Sequence, residues 1–235
     1  MMQIMGESGI FDAEVRKMTY EELKKDPSIR AFIQRADESL MALGYTEHSF
    51  AHVGRVAETA GYILETLGYP AHQVELVRMA AYLHDIGNLV NRIEHSQSGA
   101  TMAFCILEKT DMPAEDIATI VTAIGNHDEG TGVPVNPVAA ALILADKSDV
   151  RRSRVRDGSL GHIATDIHDR VNYSATDARL TVKDGEVTLS LTIDTAISSV
   201  LEYFEIFTER MLLCRKAAMT LGLRFRLFAN GQALF

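Results

Sequence analysis

Two adjacent residues, His84 and Asp85, end the apolar stretch Met79-Ala80-Ala81-Tyr82-Leu83 and are followed at once by Ile86-Gly87. Imidazole and carboxylate are donors for divalent cations, and a carboxylate at the end of a buried segment needs compensation. A buried charge is tolerated only when paired, hydrogen-bonded or bound to a metal. From Val74 to Ile86 the only charges before Asp85 are Glu75 and Arg78, so a helix there is apolar almost all round, hence buried, with Gly87 as its stop. A lone His-Asp is equally a mutually hydrogen-bonded pair without metal. Four further residues bear on the choice: His52, His95, His127 and Asp146.

The segments around these residues set their direction. Ser49 to Leu67 has the pattern of an amphipathic helix, apolar at Val53, Val56, Ala57, Ala60, Ile63 and Leu64 and closed by Gly68 and Pro70. His52 extends that stripe one turn upstream of Val56, so its side chain is expected to point inward. After a loop, Asn88 to Glu94, His95 stands just before a helix with Met102, Ala103, Ile106 and Leu107 at helical spacing. Pro113 suits the first turn of the next helix, whose stripe Ile117, Ile120, Val121, Ile124 runs into His127. Val138 to Val150 is strongly apolar, and Asp146 lies one turn beyond Leu142 on the same face. A histidine on an apolar face is usually a satisfied core residue, but so many on separate helices imply a shared ligand. An all-nitrogen-and-oxygen set without cysteine suits Mn, Fe, Co, Ni, Zn or Mg. Six protein ligands on one ion leave no room for substrate, which implies two divalent ions with Asp85 as the bridging carboxylate.

The remainder of the chain positions this centre. Residues 1 to about 43 read as one or two helices, with Thr19 and Glu22 as a capping box and Pro27-Ser28 as punctuation. Residues 44–171 carry every candidate ligand. From 172 to 235 the pattern changes: Leu180 and Val182, then Val187, Leu189, Leu191 and Ile193, alternate around the turn signal Asp184-Gly185. A long helix capped by Asp194 or Thr195, with Ile197, Leu201, Phe204, Met211 and Leu212 inward, and a strand over Leu223–Leu227 follow. The fold class is therefore mainly α, a helical bundle with a small C-terminal α+β appendage of β-hairpin, long helix and strand.

With 47% hydrophobic and 23% charged residues the chain is expected to fold as an ordinary globular protein, and its net charge of −9 disfavours a nucleic-acid polymer or an anionic membrane as partner. Cys105 and Cys214 both fall in apolar helical patterns and read as buried free thiols of a reducing compartment. There is no signal-peptide pattern at Met1 and no run near the roughly 20 apolar residues of a membrane span, so the cytoplasm is the expected location. Lys147, Arg151, Arg152 and Arg154 follow Asp146 closely and offer phosphate contacts, or else form a solvated basic face; the glycine-rich loop Gly130 to Pro134 also suits a phosphate-bearing substrate.

The ordered set His52, His84-Asp85, His95, His127, Asp146 resembles the HD superfamily of metal-dependent phosphohydrolases over residues 45–156. The strings His84-Asp85-Ile86-Gly87, His95-Ser96-Gln97-Ser98-Gly99-Ala100 and Asn126-His127-Asp128 look most like the HD-GYP branch and its dinuclear relatives. The resemblance implies a bundle in which His52, His84, Asp85 and Asp146 hold one ion and Asp85, His95 and His127 the second. Asp85 and His84 would then be central to catalysis, on a nucleotide or other small phosphorylated substrate. The appendage would set specificity or pair two copies of the chain. Departures are visible: Asn126 stands before His127 where HD-GYP proteins have a second histidine, Gly132-Val133-Pro134 replaces Gly-Tyr-Pro, and Asn88 replaces a lysine. Cyclic-dinucleotide hydrolysis is therefore not implied. A glutamate ligand of trinuclear relatives is His48 here, read as structural or as supporting a ligand; His72, His162 and His168 read as surface residues. Two other readings share the ligand set: a mixed-valence di-iron oxygenase and a non-catalytic ligand-sensing module.

Overall fold

The computed structural model describes residues 18–158 and 160–234. The first part of the expected N-terminal helical segment, residues 1–17, and the His162 side chain lie outside the described residues. The helices in chain order are α1 (Tyr20–Leu23), α2 (Pro27–Ala42), α3 (Phe50–Thr66), α4 (Ala71–Leu83), α5 (His95–Leu107), α6 (Ala114–Gly125), α7 (Pro137–Lys147), α8 (Leu160–Thr165) and α9 (Ile167–Ser174). Then come β1 (Ala175–Lys183), β2 (Glu186–Ile193), α10 (Val200–Thr220), β3 (Arg224–Ala229) and β4 (Gln232–Ala233). The fold is mainly α with a small C-terminal sheet.

Two helices are apolar on nearly every side and sit at the centre. On α4, Val74, Val77, Met79, Ala80, Ala81 and Leu83 are buried, and on α7 every residue from Val138 to Lys147 is. Around them pack α3, α6 and, on α7, α10. The buried apolar side chains form one continuous cluster reaching from Tyr20 through α4 and α7 to Leu227 on β3. Local signals start these elements where expected: Thr19 and Glu22 form the capping box of α1, Ser49 caps α3, and Gly68 ends α3 with φ +76°, the left-handed conformation glycine adopts freely.

Helix α4 ends at Leu83, and Ile86–Leu89 winds as a 3₁₀ turn where a helix end and loop are expected. Gly87 therefore does not stop α4. It serves close approach: a Cβ there would overlap the His95 carbonyl oxygen and the Gly99 amide nitrogen, both backbone atoms of α5. Gly87→Ala must push the 3₁₀ turn, and Asp85 with it, away from His95. We expect it to destabilise the protein by about 3 kcal/mol, the cost of overpacking a site that cannot yield. A thermal unfolding midpoint equal to wild type would contradict this close packing.

The sheet has the order β1-β2-β3-β4. Asp184 and Gly185 have φ +51° and +76°, the mirror-image turn that suits a two-residue hairpin. The return through α10 makes β2 and β3 parallel, with Leu189 beside Leu227, and two-residue β4 is an element the strand pattern does not announce. Three expectations are corrected. The cap of α10 is Ser199, in a capping box with Glu202, not Asp194 or Thr195. Its buried face is Tyr203, Phe207, Met211, Cys214 and Ala217, whereas Leu201 is 76% exposed and Leu212 37%. Cys105 is exposed, and only Cys214 is buried; burial pushes its thiol up to about 12. Among the described residues no helix is long and apolar enough to cross a membrane.

Candidate metal centre

The C-terminal ends of α4, α6 and α7 converge. His84 follows Leu83, His127 follows α6 by two residues, and Asp146 is in the last turn of α7. The free carbonyls of a helix's last turn explain why histidine serves at these positions. His84 Nδ1–H donates to the Ala81 carbonyl at 2.7 Å and His127 Nδ1–H to that of Ile124. His95 Nδ1–H donates to the Arg92 carbonyl at 3.1 Å, and His52 Nδ1–H to Asp149 Oδ2 at 2.7 Å. With every Nδ1 committed to an acceptor, all four rings turn Nε2 toward a common centre.

Asp85 divides that centre. Its Oδ2 lies 3.4 Å from His84 Nε2 and 3.5 Å from His52 Nε2, while its Oδ1 lies 3.5 Å from His95 Nε2. Asn88 Nδ2 donates to Oδ1 at 2.9 Å and fixes the carboxylate's rotation. Asp146 Oδ1 closes the first group, 3.4 Å from His52 Nε2 and 3.6 Å from His84 Nε2. His95 Nε2 and His127 Nε2 form the second, 3.2 Å apart. Donor atoms lie within 4.8 Å of one another in three triads: His52, His84, Asp85; His84, His127, Asp146; and Asp85, His95, His127.

These donors fit divalent cations. The Nε2 atoms of His52 and His84 are buried without a hydrogen-bond partner, while His95 Nε2 faces His127 Nε2 with Arg92 Nη1 3.4 Å from it. Three helix C-termini also direct the negative ends of their dipoles at the site. Burial alone would lower the His84 imidazole, but Asp85 and Asp146 outweigh it and raise it to about 10. Burial likewise works to raise the Asp85 carboxyl, yet His84, His48 and His95 hold it well below the usual carboxylate range. His127 and His95 are lowered, chiefly by burial, and so are neutral donors.

Metal loading should therefore release about one proton per chain near pH 7, from His84, since a ligating nitrogen must be bare. The sign follows from the raised value: below about 10 the metal competes with a bound proton, so apparent affinity falls as pH falls, by up to about tenfold per unit. Calorimetry in buffers of different ionisation enthalpy measures the release. A binding enthalpy independent of buffer would mean that His84 carries no proton to lose.

A cavity of about 270 Å³ opens onto Asp85, His95, His127 and Asp146. Lys147 and Arg154 line it, as do Arg92 from the turn before α5, Arg210 and Phe207 from α10, and Tyr45. The loop Gly130 to Pro134 does not. His48 also lines it, its ring edge-on to that of His52 at 5.3 Å and its Nδ1 at 2.7 Å from the Thr46 carbonyl oxygen. Burial and Arg154 lower that imidazole well below its ordinary value.

Arg151 and Arg152 go elsewhere, to a cleft of about 770 Å³ between α3 and β1. Arg151 donates to Asp149, Glu47 and Ser153, and Arg152 Nε to the Tyr173 carbonyl, so the basic run largely staples its own loop. His72 is on the surface beside Asp116, while exposed His168 stands on the cavity wall. Asp149, Glu129, Arg92 and Arg210 are site residues that the sequence reading misses. Asp149 has one signal, a second aspartate three positions after Asp146 at the end of the apolar run Val138 to Ala145.

Fold and site together define a helical histidine–aspartate metal-ligand centre borne on helix ends. Residues 49–157, a little under half of the chain, match the HD domain family. It is 28% identical over 165 residues to the uncharacterized protein MJ1020 of Methanocaldococcus jannaschii, an alignment covering 60% of this chain and 63% of that protein. The crystal structure of a predicted HD superfamily hydrolase from an uncultured Thermotogales bacterium is similar at 24% identity, covering 57% of this chain and 75% of that one with a TM-score of 0.41.

Proposed function

We propose that this protein is a metal-dependent phosphohydrolase that cleaves a small phosphoester, such as a nucleotide, at a centre of two divalent ions. The observation that carries the reading is the division of Asp85: Oδ2 faces His52 and His84, Oδ1 faces His95. His52, His84, Asp85 and Asp146 would hold one ion and Asp85, His95 and His127 the other. Divalent ions held there would supply Lewis acidity and lower the pKa of a bound water, the chemistry that phosphoester hydrolysis needs. The chain's own residues do the rest. Arg92 and Arg154 present guanidinium groups to the cavity, suited to the charge of a phosphoryl group, and Tyr45 and Phe207, with Arg92 and Arg210 over their rings, give it an apolar wall for the rest of the substrate. His84 and His127 keep Nε2 aimed inward through their carbonyl bonds, so no rearrangement is needed when a ligand arrives.

The test is turnover without oxygen. Protein loaded with Mn or Co is expected to release phosphate or a dephosphorylated product from at least one member of a nucleotide and phosphoester panel. Turnover that appears only with iron and consumes oxygen would replace the hydrolase with a di-iron oxygenase.

A further inference from the structure

A line of charges, half-buried at Arg210 and Glu129 and buried at Lys147 and Asp146, runs from the C-terminal helix to one metal-ligand carboxylate. Arg210 Nε on α10 donates to Glu129 Oε1 at 2.7 Å. Lys147 Nζ donates to Glu129 Oε2 at 3.0 Å and lies 2.8 Å from Asp146 Oδ2. The four groups come from α10, the loop after α6, and α7, and their signs alternate, so their burial is compensated.

The geometry sorts the two oxygens of Asp146. Oδ2 is taken by the Lys147 ammonium, while Oδ1 faces His52 and His84 Nε2 at 3.4 and 3.6 Å. A carboxylate pinned at one oxygen offers the other in a single direction. Without the pin it can turn about its Cβ–Cγ bond and present either. An ammonium on a four-carbon stem holds poorly by itself. Glu129 gives Lys147 a second anchor, and Arg210 holds Glu129.

We infer that Lys147, Glu129 and Arg210 are positioning residues that orient Asp146 as a one-oxygen ligand, and that through them helix α10 sets the affinity of the metal centre. The inference rests on reading the centre as a metal site. It also assigns Lys147 a role other than phosphate contact, since its ammonium already meets two carboxylates.

The test is Mn²⁺ binding by calorimetry and the Co²⁺ absorption spectrum, on the full chain, for wild type, Asp85→Ala, Arg210→Gln, Glu129→Gln and the double variant Glu129→Gln/Arg210→Gln. Charge alone predicts that losing the cation Arg210 tightens Mn²⁺ binding. Positioning predicts that Arg210→Gln weakens it about tenfold or more and shifts the Co²⁺ spectrum, the usual scale for loss of a group supporting a ligand. The double variant should bind no more weakly than the worse single one, because both act through one chain of contacts. Unchanged or tighter binding by Arg210→Gln overturns the inference, as does a double loss equal to the product of the single losses. If that happens while wild type binds Mn²⁺ and Asp85→Ala does not, the metal centre stands and only the positioning role falls. A wild type that binds no Mn²⁺ or Co²⁺ removes both. Should Glu129→Gln not fold, Arg210→Gln decides the matter, since the Arg210 side chain is 21% exposed.

Discussion

Asp85→Ala is expected to lose bound divalent metal and turnover together. Among the described residues Asp85 is the one whose two oxygens face different histidine groups, so its removal takes a donor from both sides of the centre. Among the described residues it also leaves Asp146, with Asp128 Oδ1 3.9 Å from His95 Nε2, to balance the charge of bound cations beside the four histidines. We expect Mn²⁺ affinity to fall by more than about 100-fold, beyond the upper end of what loss of a mere supporting partner costs. The fold should survive. The apolar cluster does not include Asp85, and Asn88 can still donate to the backbone carbonyl of residue 85, at 2.9 Å in the native chain. Metal content by elemental analysis and activity in the same preparation check the prediction. A variant that keeps the wild-type metal content and normal turnover would show that Asp85 is not a metal ligand.

The directions of His52, His127 and Asp146 were legible because each continues an apolar helical stripe, and a stripe buried against neighbours carries its last side chain inward. The stripes of α3, α6 and α7 are buried as their spacing predicts. Periodicity cannot report how a helix end is completed. The carbonyls of Ala81 and Ile124 that fix the ring tautomers exist as acceptors only because α4 and α6 stop where they do. The role of Gly87 was likewise hidden, since close approach to α5 is a tertiary relation between segments.

Helix α10 shows a different limit. Of the expected inward face Leu201, Phe204, Met211 and Leu212, only Met211 is fully buried, and the helix instead buries Tyr203, Phe207 and Cys214 beside it. Adjacent apolar faces on one helix cannot be ranked without knowing what covers them, which here includes α7. The choice of face is also what brings Arg210 to Glu129. The basic run after Asp146 was ambiguous for a related reason. Charge in a sequence shows where cations lie along the chain, but the backbone turn after α7 sends Arg154 to the cavity and Arg151 and Arg152 to the cleft beside β1.

The support behind His52 leads to the second large effect, at Asp149. This carboxylate has a 3% exposed side chain, accepts from His52 Nδ1 at 2.7 Å and from Arg151 Nε at 3.0 Å, and faces Arg154 Nη1 at 3.9 Å. Burial acts to raise its carboxyl, but His52, Arg154 and Arg151 together hold it far below the usual range. A depressed value means stability that is present above the ordinary carboxylate value near 4 and is lost as pH falls toward the folded one. Asp149→Ala removes that charge and strands buried Arg154, for which breaking a buried pair costs about 3–5 kcal/mol. Arg154 keeps two backbone acceptors, Glu47 O and Asp149 O, so we expect the lower figure, about 3 kcal/mol, and a thermal midpoint about 6–12 °C below wild type. Asp149→Asn separates the roles. The amide oxygen can still accept the His52 Nδ1–H, but without its charge the ring is a weaker donor to metal. Most of the fold stability should remain, while Mn²⁺ affinity falls by about 10-fold or more. Calorimetric Mn²⁺ titration beside thermal unfolding distinguishes the two variants. Wild-type affinity in Asp149→Asn, with a midpoint shift under about 2 °C in Asp149→Ala, would show that neither His52 nor Arg154 depends on this carboxylate.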